Sequence, residues 1–227
     1  MSFPRNGYRR EKAMDVLARL DAARAATDVL EHPFYRRWSE GELSREELGL
    51  YAGQYRHAVV ALAQASEQAA LAAAGAERAG LAAHAEEERE HVALWDAFAQ
   101  ACGAEPGAAP LAGTSDCAAA WLAGEDLLER LAVLYALEAS QPAISRTKLE
   151  GLRSHYEHVP EGPATEYFAV HAIRDVEHAR QAAGLIERLL AREREPASAA
   201  RRMTARAEAA LRGNWLLLDA VQEGHTG

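Results

Sequence analysis

Residues that favour the α-helix dominate this sequence from end to end. Alanine, leucine, glutamate and arginine are abundant, and runs of alternating β-branched residues are absent, so no segment predicts a strand. No fixed repeat and no low-complexity linker divides the chain. The sequence therefore predicts an all-α fold. Its 227 residues are enough for a single domain, residues 1–227, with one sizeable core.

Start and stop signals predict seven helices joined by short connections. Ser44 and Glu47 form a capping-box pattern, Pro33 is expected to end the first helix, and Pro142 to kink or interrupt the fifth. The predicted helices cover residues 10–30, 44–74, 77–102, a segment near 118, 125–155, 163–192 and 197–221. The segments HPFYRRWSEGEL and GAEPGAAPLAGTSD are expected to be connections. Seven helices of this length make a bundle.

Charge and apolar content exclude several classes of function. The net charge of −9 argues against nucleic acid as a main partner, because phosphate binding needs concentrated lysine and arginine. A small molecule is the expected partner instead. No stretch approaches about 18 uninterrupted apolar residues, and the N-terminus lacks the apolar core of a signal peptide, so we expect a cytoplasmic protein with no membrane partner. Cys102 and Cys117 are expected to be reduced structural thiols.

Three ionisable residues share the buried face of the sixth predicted helix. In HAIRDVEHARQAAGLIERL, residues His171, Asp175 and His178 fall within a sector of about 60°, because steps of four and three residues nearly complete a turn. The same stripe continues into Leu185 and Leu189, so it faces the core. Burying such groups without partners costs several kcal/mol each. They therefore need a cation or a satisfied network of mutual hydrogen bonds.

Two other helices contribute carboxylates. Glu138 ends an apolar stripe of the fifth helix, at a position that suits a leucine, although an exposed residue near a proline kink would give the same pattern. On the third helix, HAEEEREHVALW places Glu88 and His91 at the Glu-x-x-His spacing of dimetal bundle sites. Glu87, four residues before His91, competes with Glu88 for this role. Carboxylates and imidazoles from three helices would suit iron or manganese, with no thiolate to favour zinc or copper.

At these residues the chain resembles the haem-oxygenase-like diiron oxidases, and within them the para-aminobenzoate synthases of chlamydial type. The resemblance covers most of the chain. Its most specific segments are LEHPFYRRWSEGELSREELGLYAGQY, HVALW, LYALEASQPAISRTKLEGL and FAVHAIRDVEHA. It implies a haem-oxygenase-like bundle of the TenA and PqqC type, a homodimer, and a centre of two iron ions or an iron and a manganese ion that uses dioxygen and a reductant.

The resemblance also implies roles for individual residues. It implies the metal ligands Glu88, His91, Glu138, His171, Asp175 and His178. The Glu-to-His spacing on the third helix departs from the chlamydial pattern, whose equivalent position here is His84, so Glu88, Glu87 and His84 remain alternatives. Tyr35 and Lys148 match the tyrosine and lysine that those synthases are thought to consume in making para-aminobenzoate for folate synthesis.

Other interpretations of these two residues and of the chain stay open. Tyr35 would also suit a core anchor for the HPFY turn, and Lys148 a solvated surface position, although Lys12 and Lys148 are the only lysines beside 23 arginines. A dimetal oxidase of a bound amino acid or fatty acid would explain the same metal ligands. A metal-free helical module that binds a ligand or a partner helix is the alternative of a different class. A thiaminase-like activity is disfavoured, because LEASQPAIS has no cysteine.

Overall fold

A computed structural model describes the backbone of residues 5–226 and the side chains of residues 16–224. Over that range the chain is helical and contains no strand, so the predicted fold class is confirmed. The helices are α1 (Arg5–Ala26), α2 (Pro33–Glu40), α3 (Arg45–Ala72), α4 (Ala76–Ala101), α5 (Ala112–Leu122), α6 (Leu127–Glu138), α7 (Gln141–His155), α8 (Pro163–Leu190) and α9 (Pro196–Thr226). A short 3₁₀ helix, Val29–Glu31, precedes α2.

The described range holds nine α-helices rather than seven, for two local reasons. The expected connection after Pro33 forms α2, because Nδ1 of His32 accepts a hydrogen bond from the backbone of Phe34 and proline is favourable at a first helical position. Of the two outcomes expected at Pro142, a kink or an interruption, the structure has the interruption, which divides the predicted fifth helix into α6 and α7. Helix α5 also begins at Ala112, earlier than predicted, which shortens the loop before it.

Helices α4, α6 and α8 lie side by side and carry the predicted ligand residues. Helix α8 packs against α4, α6 and α7, while α9 packs against α5 and α6. The capping box of Ser44 and Glu47 is present at the start of α3, as predicted. Buried aromatic side chains fill the space between α2, α3, α4 and α8.

Across the described residues, no helix is both long enough and apolar enough to cross a membrane.

Candidate metal centre

Three ionisable side chains of helix α8 point into the protein. His171, Asp175 and His178 are buried, whereas Arg174 on the same helix is exposed. The buried face is the one that the helical spacing predicts. Its polar atoms are not satisfied locally, since Nε2 of His171, Nδ1 of His178 and both carboxylate oxygens of Asp175 are buried without a hydrogen-bond partner. Such groups are rare in folded proteins unless a partner of another kind binds them.

Helix α4 presents a second ionisable face toward α8. His84, Glu88 and His91 stand at i, i+4 and i+7 and therefore point in one direction. Oε1 of Glu88 lies 3.6 Å from Nε2 of His84 and 3.4 Å from Nδ1 of His91. Across the helix interface, Oε2 of Glu88 lies 3.9 Å from Nε2 of His171. Glu88 thus lies close to histidines of both helices.

The neighbouring carboxylate, Glu87, has a different position. Its side chain is one-third exposed, accepts two hydrogen bonds from Arg174, and accepts another from Nε2 of His178 at 3.1 Å. This hydrogen bond leaves Nδ1 of His178 facing the cluster. Carboxylates that hold the outer nitrogen of a histidine in this way fix the ring for metal binding. Glu87 is therefore an outer partner of the cluster, and Glu88 lies within it.

Glu138 supplies a buried carboxylate from α6. It is the last residue of that helix, and neither of its oxygens has a hydrogen-bond partner. Oε1 lies 3.0 Å from Nε2 of His84. A carboxylate at a helix C-terminus is unfavourable, because the helix dipole places negative charge there. The position suits a carboxylate only where positive charge compensates it.

The spacing of these side chains fits shared metal ions. Nitrogen and oxygen ligands bind first-row metals at about 2.1 Å, so two ligand atoms on one ion lie about 3.0 to 4.2 Å apart. The pairs Glu138–His84, Glu88–His91 and Glu88–His84 fall within that range, at 3.0, 3.4 and 3.6 Å. Nδ1 of His178 also lies 3.5 Å from Asp175 and 3.7 Å from Glu88. All six predicted ligand residues and His84 thus form one cluster.

The cluster contains two groups of three residues. Within each group, the ligand atoms lie within 4.8 Å of one another. The first consists of His84, Glu88 and His178, and the second of Glu88, His91 and His171. Glu88 belongs to both groups. Nδ1 of His171 donates a hydrogen bond to the carbonyl oxygen of Tyr167 at 2.6 Å, which leaves Nε2 free to face the cluster. The rings of both α8 histidines are therefore oriented by an outer acceptor.

The charges of the cluster are strongly coupled. Burial opposes ionisation of Glu88, but His171, His84 and His91 hold the pKa of its carboxyl well below its usual range. Burial also opposes the charged form of His84, yet Glu138 and Glu88 together raise its pKa to about 10. Burial raises the pKa of Glu138. The carboxylates also raise the pKa of His171, so without a bound cation protons on His84 and His171 would offset the charge of Glu88.

Tyr35 and Lys148 lie together in the aromatic core, away from solvent. Both are almost fully buried, and this overturns the alternative of a solvated Lys148. The ammonium nitrogen of Lys148 faces five aromatic rings, at centroid distances of 5.7 Å for Tyr35, 5.3 Å for Tyr51, 4.6 Å for Tyr55, 5.3 Å for Trp95 and 5.1 Å for Phe168. Burial lowers the pKa of Lys148 to about 7. A signal was available in the sequence, since Lys148 shares a helical stripe with Ile144 and Leu152.

A series of ring contacts connects the cluster with Tyr35. The ring of His171 stacks on Tyr167 at 3.9 Å, and Tyr167 meets Trp95 edge to face at 4.9 Å. Trp95 lies 6.1 Å from Tyr51, whose hydroxyl is 3.5 Å from that of Tyr35. Tyr51 therefore links Tyr35 to the other rings.

A cavity of about 390 Å³ reaches the cluster from the outside between α4, α6 and α8. His84 and His178 are the cluster residues that line it. Leucines supply much of the wall, namely Leu81, Leu131, Leu134 and Leu185. Exposed residues such as Gly80 and Arg188 lie at its outer part. The cavity gives a small molecule a route to one side of the cluster.

Comparisons with known proteins agree with this architecture. A family model described as iron-containing redox enzyme matches residues 81–211, the segment that holds every residue of the cluster. A 4-aminobenzoate synthase of Chlamydia muridarum is 32% identical over 193 residues, which cover 79% of this chain and 81% of that protein. A 4-aminobenzoate synthase of Nitrosomonas europaea is 31% identical over 232 residues, covering 91% of this chain and 90% of the relative.

Solved structures share the fold. A TenA homologue from Pseudomonas syringae pv. tomato superposes with a TM-score of 0.79 at 15% identity, covering 93% of each chain. A protein from Shewanella denitrificans, described as a domain of unknown function with a haem-oxygenase-like fold, gives a TM-score of 0.73 at 17% identity and covers 94% of this chain and 91% of that one. At these identities the structural matches show the fold alone, and it is the fold that the sequence predicts.

Proposed function

This chain belongs to the iron-containing redox enzyme family with the haem-oxygenase-like fold, and from that membership we propose that it is a dimetal oxidase which makes 4-aminobenzoate from its own Tyr35 and Lys148. Membership of this family shows that the chain is an oxidoreductase, as predicted, and argues against a metal-free binding module. The observation that carries the finer proposal is the placement of a buried amine against the ring of a buried tyrosine.

We propose that the cluster holds two metal ions, either two irons or an iron and a manganese. Glu88, His91, Glu138, His171, Asp175 and His178 are the proposed ligands from the sequence, and the orphaned polar atoms in their side chains support this set. The donors are carboxylate oxygens and imidazole nitrogens, which suit iron and manganese. When bound and reduced, such a pair supplies the electrons that activate dioxygen.

The side chains of Tyr35 and Lys148 have the atoms that 4-aminobenzoate requires. In the proposed reaction the Cα–Cβ bond of Tyr35 breaks and Cβ becomes the carboxyl carbon, with oxygen taken from dioxygen. A bond to Nζ of Lys148 replaces the phenolic C–O bond, and the bond between Nζ and Cε breaks. Cα of Tyr35 keeps a hydrogen in place of Cβ, and Cε of Lys148 becomes an aldehyde carbon. Two molecules of dioxygen oxidise Cβ and Cε, an external reductant supplies two further electrons, and the oxygen atom not used in the carboxyl group or the aldehyde becomes water. The phenolic oxygen leaves as water.

The protein's own contribution is to hold these groups dry, close and correctly charged. A protonated amine has no lone pair for bond formation, and the lowered pKa of Lys148 makes the neutral amine available near pH 7. The hydroxyl of Tyr51 fixes that of Tyr35. The ring contacts from His171 through Tyr167 and Trp95 to Tyr51 offer short steps for an electron that leaves Tyr35. Burial excludes water, which would otherwise compete with the amine.

The test follows both the product and the protein. Protein loaded anaerobically with iron, or with iron and manganese, is reduced and exposed to dioxygen, and 4-aminobenzoate is quantified by mass spectrometry together with peptides that contain residues 35 and 148. We expect product that never exceeds the protein in amount, with loss of both intact side chains. Tyr35→Phe and Lys148→Arg should give none, whereas Tyr135→Phe, which alters a tyrosine bonded to Asp21 outside the aromatic core, should give the wild-type amount. Product from protein whose Tyr35 and Lys148 stay intact would contradict the proposal.

The cavity favours a second candidate, oxidation of a bound small molecule by the same centre. Its leucine wall and its contact with His84 and His178 would suit the apolar part of an amino acid or a fatty acid. Repeated turnover on an added compound, with Tyr35 and Lys148 unchanged, would support this candidate against the first. Dioxygen uptake measured across a series of such compounds distinguishes the two.

A further inference from the structure

We infer that His84 is a seventh ligand of the metal centre, and that it holds the ion nearer the cavity together with His178 and Glu88. This inference rests on the proposed dimetal function and deepens it. From the sequence alone, His84 competes with Glu87 and Glu88 for one ligand position on α4. The structure brings His84 and Glu88 into the cluster at the same time.

The surroundings of His84 point to a ligand rather than to a surface histidine. Its side chain is only 10% exposed, and Nε2 is a buried atom without a well-formed hydrogen bond. That atom lies 3.0 Å from Glu138 and 3.6 Å from Glu88, two carboxylates whose own facing oxygens lack hydrogen bonds. The ring of His84 lies 4.1 Å from that of His178. The ionisable groups closest to His84 are therefore members of the cluster.

Glu88 connects the two ion positions. It belongs to the group with His84 and His178 and to the group with His91 and His171. A carboxylate has two oxygens with several lone pairs, so Glu88 would have donors for both ions. Each position then has two imidazoles and a share of the same carboxylate. Sequence spacing alone could not give this arrangement, because it requires α4 to contribute three ligands over two turns and α8 to face all of them.

The two positions differ in access. His84 and His178 line the cavity, whereas His91 and His171 do not. His171 is covered by the stacked ring of Tyr167. A small molecule that enters the cavity would therefore reach the position of His84 first, and an imidazole from solution could occupy the space left by removal of that side chain.

The experiment measures metal content in histidine variants. Wild type, His84→Ala, His91→Ala and the control His57→Ala are produced with iron and manganese, desalted, and analysed for metals per chain by mass spectrometry. His57 is a suitable control, since it lies outside the cluster, where its Nε2 donates a hydrogen bond to the backbone carbonyl oxygen of Ala108. Circular dichroism and thermal unfolding verify that each variant is folded. Imidazole is then added to the alanine variants during metal loading.

We expect about two ions per chain in wild type and His57→Ala, and about one in His84→Ala, as for loss of one position in a dimetal site. Imidazole should restore the second ion in His84→Ala, because that space opens to the cavity. A folded His84→Ala that keeps two ions, or that loses both, would overturn the assignment. If wild type binds no metal, the proposed function fails together with the inference, whereas a failure confined to His84→Ala leaves the dimetal oxidase standing.

Discussion

Replacement of Lys148 by methionine should change how the free energy of unfolding depends on pH. Lys148 is buried among aromatic rings, and burial lowers its pKa to about 7, from an ordinary value of about 10.5. Below pH 7 the lysine is protonated in both the folded and unfolded chains, so folding carries the full penalty of burying an ammonium. Between pH 7 and 10.5 the unfolded chain binds more protons, and stability rises with pH. Methionine has a similar length and no charge, so it removes this dependence.

The size of the effect follows from the pKa difference. Each unit of difference corresponds to about 1.4 kcal/mol, so the wild type should gain about 2 to 3 kcal/mol relative to Lys148→Met between pH 6 and pH 9. At pH 6 the variant should be the more stable protein. Urea unfolding of both proteins at several pH values, with a chelator present during expression and unfolding, measures this difference on metal-free chains. Subtracting the two curves removes the contribution of every group that both proteins share.

A difference that stays constant from pH 6 to pH 9 would refute the reasoning. It would mean that the negative faces of the surrounding rings stabilise the ammonium enough to offset its burial, since a cation over a desolvated ring can gain about 2 kcal/mol. Lys148 would then carry its charge at neutral pH, and its role as a neutral amine donor would fall with it. A rise that begins near pH 7 and continues toward pH 9 would support both the burial argument and the proposed chemistry.

Three further substitutions test other parts of the structure. Glu129→Ala should lower the free energy of unfolding by about 1 to 3 kcal/mol in urea denaturation, because its buried carboxylate no longer accepts hydrogen bonds from two arginines of α9. Gly151→Ala should cost about 1 to 3 kcal/mol in the same assay, since the added methyl group would clash with Nε1 of Trp38. Glu87→Gln should weaken metal binding by about 10- to 100-fold in competition with a chelating dye, whereas Glu86→Gln, an exposed neighbour, should not. Equal affinities in those two variants would remove Glu87 from the support of His178.

The long periodic helices were predictable, and the shorter elements were less so. The bounds of α3, α4 and α8 lie within about two residues of the prediction, because each has a sustained apolar stripe and a clear cap or breaker. Helix α2 was missed, because Pro33 was taken only as the end of a helix, although proline also favours a first helical position. The early start of α5 had no capping side chain to announce it.

The ligand residues were predictable from sequence where the apolar residues of a helix identified its buried face. The prediction stayed open where two adjacent residues could each have been the ligand. His171, Asp175 and His178 share a stripe with leucines, so their burial followed from the helix alone. Glu87 and Glu88 stand only about 100° apart on α4, so both could reach the same partner helix. Their difference depends on Arg174 of α8, which draws Glu87 toward solvent. No local pattern contains that tertiary contact.

Burying the cluster and burying Lys148 both cost free energy, but only the cost of the cluster would be offset by a bound cation. The carboxylates and imidazoles of the cluster are unfavourable to bury, but a bound cation would offset that penalty and stabilise the fold in proportion to its affinity. The amine of Lys148 has no such compensation at neutral pH apart from the rings around it. A leucine or methionine there would pack without this penalty. The proposed reaction explains why an amine occupies this position. The same burial that destabilises the charged form of Lys148 provides the neutral amine which that reaction with Tyr35 requires.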